Sequence, residues 1–267
     1  MSVASKPKPM MFISDPQPND GFTWTQEPWG RALKCTRLQA PHLFTSRDVE
    51  LRADGREWAA VAGSLGVARE RLLLIRQVHG TKVAVARRGA SWSVDRPEAD
   101  IVITDDPVVA IGVCVADCAP VLLYDDASRV AGAVHAGWRG AAGRAVTVAV
   151  AALANEFGAN PGDLKAAVGP CLGACCGEVG PEVADAFRAG GATRGEIGRW
   201  FSAGRGDRLQ LDLARANRDQ LVTAGVQSER IWDSGLCTKS NHDRLHSYRA
   251  AGSRAGRILG AIRIAGS

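Results

Sequence analysis

The chain has 267 residues, of which 46% are hydrophobic and 23% charged, and its formal net charge is +5. This length fits one large domain, or two small ones, with a substantial buried core. No apolar run approaches the ~20 residues of a membrane-spanning helix, and no basic run with interleaved aromatic residues indicates nucleic-acid binding.

The first segment, residues 1–20, is expected to be a flexible leader rich in lysine and proline. It has neither the apolar core nor the small-residue cleavage site of a secretory signal. Seven cysteines are an odd number in a chain of this size, which favours reduced thiols and a cytoplasmic protein. Residues 21–267 are predicted to form the functional domain.

The first half of this domain is predicted to consist mainly of strands. An extended piece at 42–46 precedes a helix at 56–65, which Gly66 ends. Strands at 72–78 and 82–86 are expected to pair around His79-Gly80, and a polar surface loop follows. The next predicted strands are 99–104, 110–115, 121–124 and 130–134.

The second half contains the clearest helix, at 141–157, where apolar residues recur at helical spacing and Gly158 provides the stop. Because strands outnumber helices and interleave with them irregularly, a mixed α/β (α+β) sandwich is favoured over a doubly wound parallel sheet. The remaining predicted elements are strands at 164–168, 230–232, 245–249 and 257–264 and helices at 181–188 and 212–223.

Three apolar, strand-like runs each end in a cysteine or a histidine, namely His79, Cys118 and His135. Two histidines and one cysteine match a zinc site with three protein ligands and an open fourth position. Each residue also has a structural interpretation, since free cysteine is commonly buried and a lone histidine often serves packing. Only a fold can bring these distant positions together.

Three motifs resemble the signatures of the bacterial laccase-domain family. They are His79-Gly80 after Arg-Gln-Val, Ala-Asp-Cys-Ala-Pro at 116–120, and Val-His-Ala-Gly-Trp-Arg-Gly at 134–140. The resemblance runs from about residue 40 to 266 and includes Gly-Pro-Cys at 169–171 and Ser-Tyr-Arg at 247–249. That family was first named polyphenol oxidase. Its members are now described as zinc-dependent purine nucleoside phosphorylases with adenosine deaminase and methylthioadenosine phosphorylase activities.

The resemblance implies a domain of two β-sheets sandwiched between helices. It also implies Zn²⁺ as cofactor, with Cu²⁺ as an alternative, and purine nucleosides and phosphate as partners. We expect a monomer that binds neither nucleic acid nor membrane.

In addition to the two histidines, five residues are predicted to take part in catalysis or substrate binding. Cys118, Asp117 and Arg139 are the candidate catalytic residues, with Asp117 orienting a ligand or carrying a proton. Arg139, on a glycine-rich turn before a helix, is expected to contact an anion, unless it is only a surface cation. Arg47 and Cys171 are assigned to substrate binding through the resemblance.

The chain departs from the family pattern in two places. The segment 48–62 is short and lacks an Asn-Arg pair, and Ala250-Ala251 follow Ser-Tyr-Arg where an Arg and an Asp are usual. Both changes are expected to reshape the substrate pocket. The sequence predicts no second metal, because the cysteines at 171, 175 and 176 have only an isolated Cys237 as a further partner.

Two other functions compete with the nucleoside enzyme. A copper-dependent polyphenol oxidase is disfavoured, since the chain has five histidines, no His-x-His pair, and methionines only at 1, 10 and 11. Cys118 with His79 or His135 also matches a cysteine hydrolase, an activity compatible with the peptidoglycan-editing label of some family members. A non-catalytic binding module is disfavoured, because packing requires no such set of His and Cys.

Overall fold

Two six-stranded sheets stack face to face, with helices on their outer faces, in a computed structural model that describes residues 14–52, 55–92 and 96–266. This arrangement confirms the predicted mixed α/β sandwich. The strands are β1 Phe22–Glu27, β2 Gly30–Cys35, β3 His42–Thr45, β4 Leu72–Leu74, β5 Val83–Ala86, β6 Ile101–Thr104, β7 Ala110–Val115, β8 Ala119–Asp125, β9 Val130–Ala136, β10 Lys165–Val168, β11 Glu178–Val179, β12 Phe201–Ala203, β13 Leu209–Leu211, β14 Ile231–Asp233 and β15 Ile258–Arg263.

The helices differ from the predicted set mainly in the second half of the chain. They are α1 Glu57–Ser64, α2 Trp138–Ala142, α3 Ala145–Phe157, α4 Pro181–Ala189, α5 Arg194–Trp200, α6 Leu213–Thr223 and α7 Tyr248–Ala251. Among the described residues, no helix combines the length and apolar character needed to cross a membrane.

The order of strands in the first large sheet is β1-β2-β3-β15-β7-β4, and in the second β14-β10-β8-β9-β6-β5. Three short strands, β11, β13 and β12, form a separate small sheet. Residues such as Phe44 and Ile111 of the first sheet pack against Leu122 of the second in the core between them. Helix α1 covers the outer face of the first sheet through Trp58, and α3 covers the second through Leu153.

The predicted pairing of strands 72–78 and 82–86 is wrong. Strand β4 covers only Leu72–Leu74 and pairs in parallel with β7, whereas β5 pairs in parallel with β6 in the other sheet. The consecutively buried residues of β4 are typical of a strand covered on both faces, not of one arm of an exposed hairpin. The chain therefore crosses between the sheets at 75–82, and His79 lies in this crossover with φ 62°.

Two further predicted elements are corrected. The helix at 141–157 is divided into α2 and α3, because Arg144 adopts a left-handed conformation with φ 60°. The predicted strand at 245–249 is a turn that leads into α7, where the Ser247 side chain accepts a hydrogen bond from the Ala250 N–H.

Several elements were not predicted. The hairpin of β1 and β2, the small sheet and α5 are all absent from the sequence assignment. Helix α5 did carry a readable signal, since Thr193 and Glu196 form a reciprocal capping box. Pro120 is the second residue of β8 and lies opposite His135 of β9. A strand tolerates proline near its start.

The predicted leader is described only from residue 14. Asp15 forms ion pairs with Arg31 and Arg244, and the Trp24 indole N–H donates to the Pro16 carbonyl at 2.8 Å. Asp15 and Pro16 therefore contact the first sheet. Residues 1–13 lie outside the described part of the chain.

Candidate metal centre

The candidate ligands His79, Cys118 and His135 meet where the chain passes between the two large sheets. His79 lies in the crossover from β4 to β5, and Cys118 lies in the crossover from β7 to β8. His135 is on β9, in phase with Ala131 and Ala133, which face the core between the sheets. Two crossovers and one strand thus direct three ligands toward one point.

The three side chains are close enough to bind one ion. One ligand atom from each of His79, Cys118 and His135 lies within 4.8 Å of the others. The two imidazole rings have centroids 4.8 Å apart and are nearly perpendicular, at 81°. His135 is buried, Cys118 is half-buried and His79 is exposed, so the group opens on one side. Two nitrogens and one sulfur with an open side fit tetrahedral zinc.

A buried carboxylate that sequence analysis missed holds this group together. Asp100 has an exposed fraction of 0% and precedes β6. Its Oδ1 accepts hydrogen bonds from His135 Nδ1 at 2.7 Å and from the His79 backbone N–H at 2.9 Å. Its Oδ2 accepts from the backbone N–H groups of Gly80 at 2.7 Å and Val78 at 3.2 Å.

This network fixes which nitrogen of His135 is free. The hydrogen bond to Asp100 keeps the proton on Nδ1, so Nε2 is available as a ligand. The His135 backbone N–H also donates to the Asp100 carbonyl at 2.8 Å. Asp100 therefore orients His135 and at the same time shapes the turn that carries His79.

The charges of the three polar groups are coupled. Burial raises the pKa of Cys118, but hydrogen bonds from His135 and His79 outweigh it and lower the pKa to about 7. Burial lowers the pKa of His135, but hydrogen bonds to Asp100 and Cys118 outweigh it and raise the pKa to about 9. Burial also raises the pKa of Asp100, yet hydrogen bonds from His135 and Gly80 hold it below its ordinary value. A thiolate at Cys118 is thereby favoured near neutral pH, and the thiolate is the form that binds metals and acts as a nucleophile.

Gly137 leaves the space that the Cys118 sulfur occupies. A Cβ built on Gly137 would lie 2.6 Å from Cys118 Sγ and 3.6 Å from His79 Cδ2. The Gly137 backbone has φ −71° and ψ 175°, a conformation open to any residue. The requirement for glycine is therefore steric and comes from the ligand group itself.

A cavity of about 620 Å³ lies beside the open side of the ligands. Its wall includes two aromatic side chains, Trp138 and Tyr248, and three cations, Arg139, Arg249 and Arg257. The Arg139 guanidinium lies 4.1 Å from the centroid of the Trp138 ring. None of the three guanidinium groups has a carboxylate within 4.0 Å among the described residues. The cavity therefore combines flat apolar surface with three guanidinium groups that form no ion pair in the described chain.

Asp117 lies in this cavity wall, but its carboxylate accepts hydrogen bonds from residues outside the candidate ligand group. It accepts hydrogen bonds from Thr238 Oγ1 at 2.6 Å and from the Arg249 backbone N–H at 2.5 Å. Its φ of 87° is unusual for a non-glycine residue. Asp117 thus holds the 238 and 249 segments at the cavity, whereas the orientation of His135 is carried by Asp100.

Two residues assigned to substrate binding do not line the cavity. Arg47 follows β3, where its guanidinium donates to the His242 carbonyl and its backbone N–H donates to the Arg244 carbonyl. Cys171 is buried and pairs in a single β-bridge with Cys237. Arg249, which belongs to the Ser-Tyr-Arg motif, and Arg257 also line the cavity, and neither was assigned a role from the sequence.

The structure also brings together cysteines for which the sequence predicted no second metal. Ligand atoms of Cys175, Cys176 and Cys237 lie within 4.8 Å of one another. The β-bridge between Cys171 and Cys237 brings the two segments side by side. Because the segments are far apart along the chain, the sequence gave no indication of this contact.

Comparison with known proteins gives a consistent result. The family model described as multi-copper polyphenol oxidoreductase laccase matches residues 47–265. A purine nucleoside phosphorylase of Deinococcus radiodurans is 36% identical over 250 residues, which cover 86% of this chain and 91% of that protein. Adenosine deaminase RL5, from an unknown prokaryotic organism, is 34% identical over 209 residues, covering 76% and 78% of the two chains.

Two solved structures share the fold. The hypothetical protein YfiH of Bacillus licheniformis has a TM-score of 0.83 at 25% identity, over 92% of this chain and 100% of that one. YlmD of Geobacillus stearothermophilus has a TM-score of 0.78 at 25% identity, over 91% and 99%.

Proposed function

Because this chain belongs to the multi-copper polyphenol oxidoreductase laccase family, we propose that it is a zinc-dependent purine nucleoside phosphorylase that also has adenosine deaminase and methylthioadenosine phosphorylase activities. The observation that carries the proposal is the His79, Cys118 and His135 group opening onto an aromatic and cationic cavity. That cavity has the size of a small-molecule site.

The ligand set supports zinc as the native metal. Two histidines and a cysteine with an open fourth position are typical of catalytic zinc, and Asp100 is the carboxylate that a metal-bound histidine usually contacts. Zinc bound there would supply a Lewis acid and lower the pKa of water toward neutrality. Affinity orders favour Cu²⁺ at the same ligands when copper is abundant.

The other cavity residues match the parts of a nucleoside and a phosphate. Trp138 and Tyr248 offer flat surfaces on which a purine base can stack. Arg139 is the cation in the first turn of α2, just after His135, and it has no carboxylate partner within 4.0 Å in the described chain. Its guanidinium would hold phosphate for attack on C1′ of the ribose and stabilise the charge on the oxygens. Deamination at C6 of adenine requires no phosphate.

A product assay with zinc-loaded protein tests the activity. Adenosine, inosine and methylthioadenosine are incubated with and without phosphate, and free base, ribose 1-phosphate and inosine are quantified. We expect phosphate-dependent release of base and phosphate-independent conversion of adenosine to inosine, both lost in Cys118→Ser. Absence of both products at full zinc occupancy would contradict the proposal.

Arg139→Ala tests the phosphate position within that assay. A charge-assisted hydrogen bond contributes about 1.5–3 kcal/mol, so the apparent KM for phosphate should rise roughly 10- to 100-fold. Adenosine deamination should fall much less. Arg88→Ala is the matched control, because it removes a guanidinium that lies outside the cavity and donates to the Asp105 backbone carbonyl. Arg47→Ala tests the sequence-based hypothesis, since a rise in KM there and not in Arg139→Ala would assign phosphate to Arg47.

A cysteine hydrolase is the second candidate, and one observation favours it. Cys118, His135 and Asp100 stand in the order nucleophile, base and orienting carboxylate, since His135 donates to Asp100 at 2.7 Å and lowers the pKa of the Cys118 thiol. Metal dependence separates the two functions. A hydrolase would retain amide or ester cleavage after chelation and lose it on alkylation of Cys118, whereas the zinc enzyme would lose activity on chelation and recover it with added zinc.

Copper-dependent oxidation of phenols has less support. Among the described residues, the one potential ligand group that contains histidine is His79, Cys118 and His135. His42 and His246 are hydrogen-bonded to backbone groups elsewhere. We expect phenol oxidation to be slow without added copper, and a fast rate with several coppers per chain would reverse this ranking.

A further inference from the structure

A second group of potential ligands lies at the edge of the molecule, on two loops joined by the bridge between Cys171 and Cys237. Cys175 and Cys176 belong to the loop that precedes β11, and Cys237 follows β14. The Sγ atoms of Cys175 and Cys176 are 3.7 Å apart, and both lie 3.4 Å from the Ser240 hydroxyl. We call these three cysteines the tri-cysteine cluster.

We propose that the tri-cysteine cluster is a second metal site that binds one thiophilic d¹⁰ cation, with Cu(I) as the preferred occupant. Three sulfurs that surround a cation in a plane at metal–sulfur distances of about 2.3 Å are separated by about 4 Å. The sulfurs of the cluster lie within 4.8 Å of one another, so a small contraction completes the geometry. The proposal does not rest on the proposed nucleoside chemistry.

The choice of Cu(I) follows from the donor set. Sulfur-only ligation selects soft cations such as Cu(I). Structural zinc usually has four cysteine or histidine ligands, and the fourth neighbour here is the hydroxyl of Ser240. Cys175 is exposed, Cys176 half-buried and Cys237 buried, so the group has an entry path and a closed base.

The base of the cluster already stabilises a thiolate. Polar groups of Ser240, Gly173 and Cys175 lie around the Cys237 sulfur and favour its thiolate form. Burial raises the pKa of Cys237, but these groups outweigh it and lower the pKa to about 7. Gly173 permits the close approach, since a Cβ there would lie 3.1 Å from Cys237 Cβ.

A disulfide between Cys175 and Cys176 is disfavoured by their spacing. Adjacent residues have Cα atoms about 3.8 Å apart across a trans peptide, less than the 4.4–6.8 Å that is usual for disulfides. All peptide bonds in the described chain are trans. Both thiols therefore stay available as ligands under reducing conditions.

The tri-cysteine cluster is also linked to the cavity wall. Arg249 Nη1 donates to the carbonyls of Cys176 and Glu178, each at 3.1 Å. Thr238, next to Cys237, donates to Asp117. An ion at the cluster would therefore fix the segments that hold Arg249 and Asp117, and amide hydrogen exchange at 173–178 and 237–241 should slow when it binds.

Anaerobic titration of the full-length reduced protein with Cu(I), supplied as its bicinchoninate complex, tests the proposal. Cys118→Ser removes a ligand of the first site and should still bind one equivalent of Cu(I) tightly. Adding Cys175→Ser and Cys176→Ser to that variant should weaken this binding more than about 100-fold, beyond the effect of losing an outer-shell partner. Adding Cys35→Ala, which removes a buried cysteine in β2, should leave it intact.

The result is readable even if Cys118→Ser does not fold. Cys175→Ser/Cys176→Ser in the otherwise unchanged chain should then bind one equivalent of Cu(I) fewer than the wild type. Equal stoichiometry in these two proteins would overturn the proposal. The proposal would also be overturned if Cys237 formed a disulfide with Cys175 or Cys176 in air and the cluster took up no Cu(I) after reduction.

Discussion

The two ligand clusters of this molecule have similar donor spacing and very different support. The group of His79, Cys118 and His135 lies between two sheets, and the four hydrogen bonds that Asp100 accepts fix its histidines. The tri-cysteine cluster lies on loops and is supported by backbone N–H groups and the Ser240 hydroxyl, with no carboxylate contact in the described residues.

This difference predicts how each site responds to change. Asp100 and β9 restrict the first group, because a displaced His79 or His135 loses a hydrogen bond to the buried carboxylate. The loops of the second can shift by several tenths of an ångström at little cost. The same type of substitution should therefore be severe at the first site and mild at the second.

The largest effect is expected for Gly137→Ala. The new methyl group would lie 2.6 Å from Cys118 Sγ, so the sulfur must leave its present position beside the two histidines. We expect metal affinity to fall more than roughly 100-fold, as for loss of a ligand rather than of its outer-shell partner. The measurement is metal content by elemental analysis, paired with competition against a chelator.

Gly63→Ala is the matched control for that substitution, because a Cβ at Gly63 in α1 meets nothing within 4 Å. It should leave metal content unchanged. If Gly137→Ala retained stoichiometric metal, the assignment of Cys118 as a ligand would be wrong.

Asp100→Asn should have the next largest effect. The amide keeps the shape of the carboxylate but loses its charge and two acceptor positions, so His135 is less firmly oriented. We expect the affinity of the first site for zinc to fall about 10- to 100-fold, with little change in Cu(I) binding at the tri-cysteine cluster.

Asp106→Asn, at a buried aspartate that accepts from the Val108 N–H outside the site, controls for loss of a buried carboxylate. The contrast with Asp100→Asn is read from chelator competition at constant pH. An equal loss in both variants would show a general effect on folding instead of ligand orientation.

Gly173→Ala should have the smallest effect and completes the comparison. Its methyl group would lie 3.1 Å from Cys237 Cβ and 3.6 Å from Cys237 Sγ, a crowding that a loop can relieve. We expect Cu(I) affinity at the tri-cysteine cluster to weaken less than about tenfold, below the cost of losing an outer-shell partner at a rigid site. A loss as large as that of Gly137→Ala would show that the loop is as rigid as the sheets.

The sequence predicted the ends of many elements but not how they are joined. β15 and α6 lie within about one residue of their predicted bounds, because their apolar spacing and flanking residues are local signals. The pairing of β4 with β7 was missed, since it joins residues far apart in the chain. The strand predicted at 245–249 failed because the Ser247 cap outweighs the β propensity of its neighbours.

At the candidate site, the sequence showed which residues have the chemical type of a metal ligand, but not which residues contact them. His79, Cys118 and His135 were assigned from ligand type, from strand ends and from family resemblance, and the structure brings them together. Asp100 stands in Ala-Asp-Ile, which looks like any polar start of a strand, so its hydrogen bonds to His135 could not be predicted.

The sequence by itself indicated the family and the mixed α/β class, and it singled out the three side chains that we propose as metal ligands, because residue type and local periodicity are properties of short segments. The tertiary structure alone decided that Asp100 orients His135, that Arg249 and Arg257 join Arg139 at the cavity, and that Cys237 joins Cys175 and Cys176. Such contacts depend on strand register and on crossovers between the two sheets, and these are fixed only when the whole core packs.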